Sequence, residues 1–243
     1  MRSSSRIPLG SAAIGGRARE VRGWFSFPFN PETCVMAKLL YVEASPRKQR
    51  SASIEVAQAF LSAYRKEHPA DSVQTIDVWR LDIPEFDGVA FEAKYAGIEG
   101  RERTPEQKAV WQTFQALAQP FRDADKIVFS VPMWNWNIPY KLKHLIDAIS
   151  MKDILFTFDE RGLRGLLIGK KALLILAKGI DYAPESTTRN WDLQTPYLKV
   201  WLESTGITDI TVIPVEKNLY GPEVDRASRD AAKDRAVALA KTF

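Results

Sequence analysis

From Lys38 onward, short apolar runs alternate with longer stretches in which apolar positions recur every three or four residues. Residues 39–42 form a four-residue β-type run that meets Ser45, Pro46 and a basic cluster, the pattern of a buried strand entering a loop. Ile54, Ala57, Leu61 and Tyr64, with Phe60 alongside, mark one face of a helix that starts near Ser51 or Ser53. Residues 73–79 are rich in β-branched side chains and predict a second strand. The segment 81–103 holds Pro84, Gly88, Gly97 and Gly100 without a steady period, so it reads as a long connection of the kind that carries function or partner contact. Thr104, Pro105 and Gln107 predict a capping box with proline in the first turn, and Val110, Phe114, Leu117 and Phe121 the buried stripe of the helix that follows. Residues 127–131 make a third strand, and Leu142, Leu145, Ile146 and Ile149 share one face of a helix opened by Pro139. A fourth strand lies at 173–176. Thr195 and Pro196 are expected to cap a helix that buries Leu198, Trp201 and Leu202 and stops at Gly206. Residues 210–215 form the fifth strand, and an Ala-rich helix begins near Pro222.

Strands separated by helix-length segments predict an α/β fold. Parallel strands need long crossovers, and both faces of the sheet must then be covered by helices. Five strands and five helices fit the doubly wound, flavodoxin-like strand order 2-1-3-4-5. In that arrangement ligands bind beyond the carboxyl ends of strands 1, 3 and 4, which directs attention to the loops 43–53, 131–138 and 177–190.

The first loop carries hydroxyls at Ser45, Ser51 and Ser53 and cations at Arg47, Lys48 and Arg50. At a helix start this chemistry suits a phosphate, which accepts hydrogen bonds from hydroxyls and free N–H groups and meets the positive end of the helix dipole. The alternative is a plain N-cap with solvated basic residues. There is no G-x-G-x-x-G fingerprint, and residues 165–171 lack Walker spacing, which favours a monophosphate over a dinucleotide or triphosphate. The second loop places Met133, Trp134, Asn135 and Trp136 between Pro132 and Pro139. Two Trp and a Met at a strand end suit a planar aromatic ligand, the alternatives being a self-packed plug or a subunit contact.

Charge and cysteine usage narrow the class. The net charge of +4 is scattered along the chain and argues against a nucleic-acid partner. Five Arg and two Glu among residues 1–35 account for most of it. That segment has no sustained periodicity and reads as a flexible N-terminal extension, or as upstream sequence preceding a true start at Met36, with one domain spanning 36–243. The lone cysteine, Cys34, allows no intrachain disulfide, and no apolar run approaches membrane-spanning length; a cytoplasmic protein is expected. No metal-ligand spacing is present, and His68 and His144 are assigned no catalytic role.

Residues 132–147, PMWNWNIPYKLKHLID, resemble the P-M-Y-N-F-x-I-P-x-x-L-K-x-x-I-D signature of the FMN-dependent NADH azoreductases, which also act as quinone reductases. The serine loop, the run from Thr157 and Phe158 to Lys171, and Tyr220, Gly221, Pro222 and Glu223 fall in the order of that family. The resemblance implies FMN phosphate on Ser45, Ser51, Ala52 and Ser53. It implies the isoalloxazine ring on Pro132, Met133, Trp134, Asn135 and Trp136, with Asn135 as electrostatic support near flavin N5 and no catalytic side chain strictly required. Ala177 and Gly179 would approach the ring edge, and Phe156 and Phe158 would line the substrate side. The chain departs from the family at Ala177, Lys178, Gly179 and Ile180, where Ser-Arg-Gly-Gly is usual. The implied activity is ping-pong transfer of two electrons from NADH or NADPH to a quinone or azo compound, in a homodimer with the flavin cleft between subunits. An electron-carrier flavoprotein or a flavin-free binding protein is the alternative.

Overall fold

A computed structural model describes residues 36–243; the expectations for residues 1–35 lie outside the described residues. Five parallel strands form the sheet: β1 (Lys38–Glu43), β2 (Ser72–Asp77), β3 (Lys126–Pro132), β6 (Lys171–Ala177) and β7 (Asp209–Val215), in the order β2-β1-β3-β6-β7. Numbered among themselves, these five follow the expected 2-1-3-4-5. An antiparallel hairpin of β4 (Phe156–Asp159) and β5 (Gly162–Gly165) stands apart from the sheet.

Strand residues alternate between two cores. Leu39, Tyr41, Val128, Leu173 and Ile175 face α1 (Ala52–Glu67) and α6 (Pro222–Ala240). Leu40, Val42, Ile127, Phe129, Leu174 and Leu176 face the opposite layer, where α3 (Pro105–Asp123), α4 (Tyr140–Ile149) and α5 (Gln194–Thr205) contribute Phe114, Phe121, Leu142, Leu145, Leu198 and Trp201. Phe129, fully buried at the sheet centre, meets the Trp201 ring edge-on at 5.9 Å. Burial of such a side chain contributes about 1.5–3 kcal/mol.

Most predicted termini are present, and the exceptions are instructive. Thr104 Oγ1 accepts from Gln107 N and Gln107 Oε1 accepts in turn from Thr104 N, closing the expected capping box. Gly206 ends α5 in the left-handed conformation, at φ 100°. The start of α5 is different: Thr195 does not cap it. The Asp192 carboxylate accepts from Gln194 N and Thr195 N and does the capping from two residues before the helix. β2 stops at Asp77, because Val78 and Trp79 turn into the following loop.

The segment 81–103 is not an irregular connection. It contains α2 (Gly88–Ile98), whose buried stripe is made of Ala90, Ala93 and Ala96. Small residues at that spacing give little hydrophobic contrast, so the helix is silent in a search for large apolar residues. It packs on α3, helped by Arg103, which donates to Ala93 O at 2.7 Å and lays its guanidinium 3.8 Å from the Trp111 ring centre. Phe91 and Tyr95 point outward and stack on each other at 4.5 Å.

Candidate functional site

The three loops expected to converge do so at the carboxyl edge of the sheet. A cleft of about 260 Å³ is lined by Ser45, Arg47, Ser51 and Ala52 from the first loop, Pro132, Met133 and Trp134 from the second, and Ala177, Lys178 and Gly179 from the third. The loop before α6 and its first turns close it with Asn218, Leu219, Asp225 and Arg229. These last residues escape a loop-by-loop reading of the sequence. The available signal is the nearby Tyr220, Gly221, Pro222 stretch, and the i,i+4 spacing of Asp225 and Arg229.

At the α1 end, Ser51 occupies the N-cap position but makes no capping hydrogen bond with its side chain. Its hydroxyl lies 3.2 Å from that of Ser53, and Ser45, Ser51 and Ser53 are all buried. The hydroxyls are therefore not spent on the helix, and the first-turn N–H groups have no intrahelical partner. An anion seated here would accept from both sets. Ser53 stands behind Ser51 and is not itself a lining residue.

The basic residues divide unequally. Glu43 and Asp77 face each other across the β1–β2 register, and the Lys48 ammonium bridges them at 2.5 Å to each. Lys48 adopts φ 48° to do this, so it braces the loop and its charge is not free for a ligand. Burial works against the Lys48 cation, but the Asp77 and Glu43 carboxylates outweigh it and hold its pKa above the ordinary lysine value. Arg229 is shared between Asp225 at 2.9 Å and Glu55 at 2.8 Å, and Arg226 and Lys233 also reach Glu55. This ties α6 to the first turn of α1. Among the described residues Arg47 makes no ion pair, and it lines the cleft.

The second loop is a two-residue hairpin turn. Trp134 N donates to Asn137 O and Asn137 N to Trp134 O, with Asn135 at φ 45° and Trp136 at φ 67°. Two left-handed residues in succession are the type I′ pattern, in which Asn is favoured and Trp is strained. Met133 N donates to Ala177 O at 2.7 Å and Leu193 N to Trp136 O at 3.0 Å, so the turn is held by β6 and by the start of α5. The tight turn separates residues expected to act together. Trp134 is the wall of the cleft, backed by Trp79 and Tyr140. Asn135 opens onto the far side of that wall, in a groove of about 360 Å³ with Tyr140 and Lys143. Trp136 packs edge-on against Trp191 at 6.3 Å in a third, exposed groove with Leu193.

Phe156 and Phe158 lie on the β4–β5 hairpin. Phe156 packs on the core, whereas Phe158 is exposed beneath the Lys152 ammonium; neither lines the cleft within this chain. His144 Nε2 donates to Pro84 O and His68 Nε2 to Ala240 O, so both rings serve as ties between segments. Among the described residues no group of His, Cys, Asp or Glu could hold a metal ion, and no helix is long and apolar enough to cross a membrane.

Comparison with known proteins agrees with this architecture. The model of a family described as having a flavodoxin-like fold matches residues 37–240. The chain is 52% identical to FMN-dependent NADH:quinone oxidoreductase 9 of Burkholderia lata, over 86% of this chain and all of that protein. It is 45% identical to FMN-dependent NADH:quinone oxidoreductase 3 of Pseudomonas fluorescens, over 85% of this chain and 97% of that one. A crystal structure of an azoreductase from Bacillus anthracis superposes with a TM-score of 0.79 at 26% identity, covering 86% of this chain and all of the other. An FMN-dependent NADH-azoreductase of the same species, solved in complex with FMN, gives 0.74 at 27% identity over 84% of this chain and all of that one. The chain belongs to the flavodoxin-like family of FMN-dependent NADH:quinone oxidoreductases and azoreductases.

Proposed function

We propose that this protein is an FMN-dependent NADH:quinone oxidoreductase that also reduces azo compounds, with FMN in the cleft between the three loops. The observation that carries the reading is a serine cradle left free of helix capping beside an aromatic wall: Ser51 sits at a helix start without capping it, and Trp134 stands on the same cleft. A phosphate fits Ser45, Ser51 and Ala52, with Arg47, which makes no ion pair among the described residues, as its cation and Ser53 supporting Ser51. A planar ring fits against the edge that Pro132, Met133 and Trp134 form together with the neighbouring Ala177 and Gly179. Gly179 matters because a Cβ there would meet the Leu219 side chain at 2.7 Å. Asn135 and Trp136 act by shaping the turn that aims Trp134, and the Asn135 amide toward flavin N5 requires a reach around that turn.

When bound, FMN supplies the chemistry by taking a hydride from a nicotinamide and passing two electrons to an acceptor. The chain's own residues hold the phosphate, place the ring and exclude water from one face. Donor and acceptor then use one stacked position in turn, which makes the kinetics ping-pong. The second subunit of a homodimer completes that position. Exposed Phe91, Tyr95, Trp136, Tyr140, Phe158 and Trp191 supply aromatic surface for it. The single Cys34 suits a reducing, cytoplasmic setting. The test is NADH oxidation by purified protein with and without FMN and a quinone. Turnover requiring both, with parallel initial-rate lines, is expected. An FMN-loaded protein that does not oxidise NADH would be an electron carrier instead, and a protein that cannot be loaded would be a flavin-free binding protein.

A further inference from the structure

The third wall of the cleft is where this chain departs from its family's sequence pattern, and the structure shows what stands there instead. Lys178 is only 4% exposed, although it carries a charge. Its ammonium donates to Asp192 Oδ2 at 2.7 Å, approaches Glu216 Oε1 at 3.4 Å, and lies 5.2 Å from the centre of the Tyr182 ring. The carboxylates are themselves committed. Asp192 caps α5 with its other oxygen, and Glu216 Oε2 accepts from Tyr182 N at 3.1 Å. Around the same point, Lys178 N donates to Val215 O, Asn218 N to Lys178 O and Leu219 N to Gly179 O. One side chain thus joins the end of β6, the segment leading to α5 and the end of β7, immediately beside Gly179.

The charge count is not that of a simple tie. One cation against two carboxylates leaves an excess negative charge in a mostly buried wall, which a lone Lys–Asp pair would avoid. Removing charges from water is costly, so an unbalanced set is not explained by stability alone. Asp192 is held below the ordinary carboxylate range: burial pushes it up, but the Lys178 and Thr195 donors outweigh burial. Its negative charge persists at neutral pH. Fixed charges in a partly dry wall act on any neighbouring group whose own charge changes, and a flavin gains negative charge when it is reduced.

Resting on the reading that FMN occupies this cleft, we infer that Lys178, Asp192 and Glu216 are positioning residues that hold the Gly179 wall and set the reduction potential of the bound flavin. Lys178 favours the reduced form and Glu216 opposes it. The excess negative charge keeps the reduced flavin a ready donor, suited to acceptors that are hard to reduce. The two residues therefore act with opposite sign, which a scaffold role does not require.

The test is the midpoint potential of FMN-loaded protein, measured anaerobically by spectroelectrochemistry for wild type, Glu216→Gln, Lys178→Met and Lys178→Arg. Glu216→Gln removes the charge and keeps an amide oxygen for Tyr182 N, at the loss of the 3.4 Å contact with Lys178. It should favour reduced over oxidised FMN by about tenfold, a rise of about 30 mV for a two-electron couple. Lys178→Met should shift the potential the other way, and Lys178→Arg should match wild type. Should Lys178→Met fail to fold or load, the sign and size of the Glu216→Gln shift decide the matter. Loaded wild type and Glu216→Gln with the same potential, or Glu216→Gln and Lys178→Met shifted in one direction, overturns the inference and leaves the FMN site intact. Wild type that does not bind FMN overturns the FMN reading and the inference with it.

Discussion

Replacing Ser51 with Ala separates the cradle's binding role from its helix role. An N-cap Ser normally stabilises its helix through a side-chain hydrogen bond whose loss costs about 1 kcal/mol. Here that bond is absent, and the hydroxyl's one contact is Ser53 Oγ at 3.2 Å. The apo protein should therefore lose less than about 1 kcal/mol, a fall in Tm of under about 4 °C for a chain of this size. A hydroxyl bonded to a phosphate oxyanion contributes about 1.5–3 kcal/mol, so the FMN Kd should rise about 10- to 150-fold. Quenching of flavin fluorescence on titration reads the Kd directly. Riboflavin, which has the ring but no phosphate, is the control, and its weaker binding should be unchanged by the substitution. Equal losses for FMN and riboflavin, or an unchanged FMN Kd, would refute the assignment of Ser51 to the phosphate.

Other substitutions probe different parts of the account. In Gly179→Ala the new Cβ meets only Leu219, which is 78% exposed and can swing away, so stability should hold within about 1 kcal/mol. The FMN Kd should nevertheless rise at least about tenfold by the same titration, because Gly179 and the displaced Leu219 both line the cleft and the added methyl takes room from the ring. Gly165→Ala is the converse. Its Cβ would collide with the backbone of Thr205 and Gly206, which cannot yield, costing about 1–3 kcal/mol and about 2–12 °C in a thermal melt. The Asp192 carboxyl, depressed in the folded state, stabilises the fold above its unfolded value near about 4 and loses that contribution as acid protonates it. The deficit of Asp192→Asn in denaturant melts should thus be constant from about pH 5 to 7 and shrink below about pH 4; a deficit that grows toward acid contradicts the assignment.

How much of this was legible in the chain depended on the size of the signal each element leaves. The five sheet strands are apolar runs bounded by polar loops, and the order of loops and helices led to the right sheet and to the edge where Ser45, Ser51, Met133 and Trp134 meet. The Ala90, Ala93, Ala96 stripe of α2 was invisible because methyl groups give little contrast. The β4–β5 hairpin is two four-residue strands, too short for alternation to stand out, although Phe156 and Phe158 do alternate around Thr157. Charge partnerships were the least legible feature. Nothing local tells Lys48, braced between Glu43 and Asp77, from Arg47, which lines the cleft and makes no ion pair among the described residues. Similarly, Asp192 and Glu216 are distant from Lys178 in sequence, and only the fold brings them to it.

The central claim is that one flavin, held by the serine cradle and the Trp134 wall, is reduced by NADH and reoxidised by a quinone. It is tested most directly by mixing FMN-loaded protein anaerobically with one equivalent of NADH, then with one equivalent of quinone, while following the flavin's visible absorbance. The account predicts bleaching in the first step and full return of the oxidised spectrum in the second, each at least as fast as steady-state turnover. A bound flavin that stays oxidised in the presence of NADH, or that is reduced but not reoxidised by quinone, would contradict it.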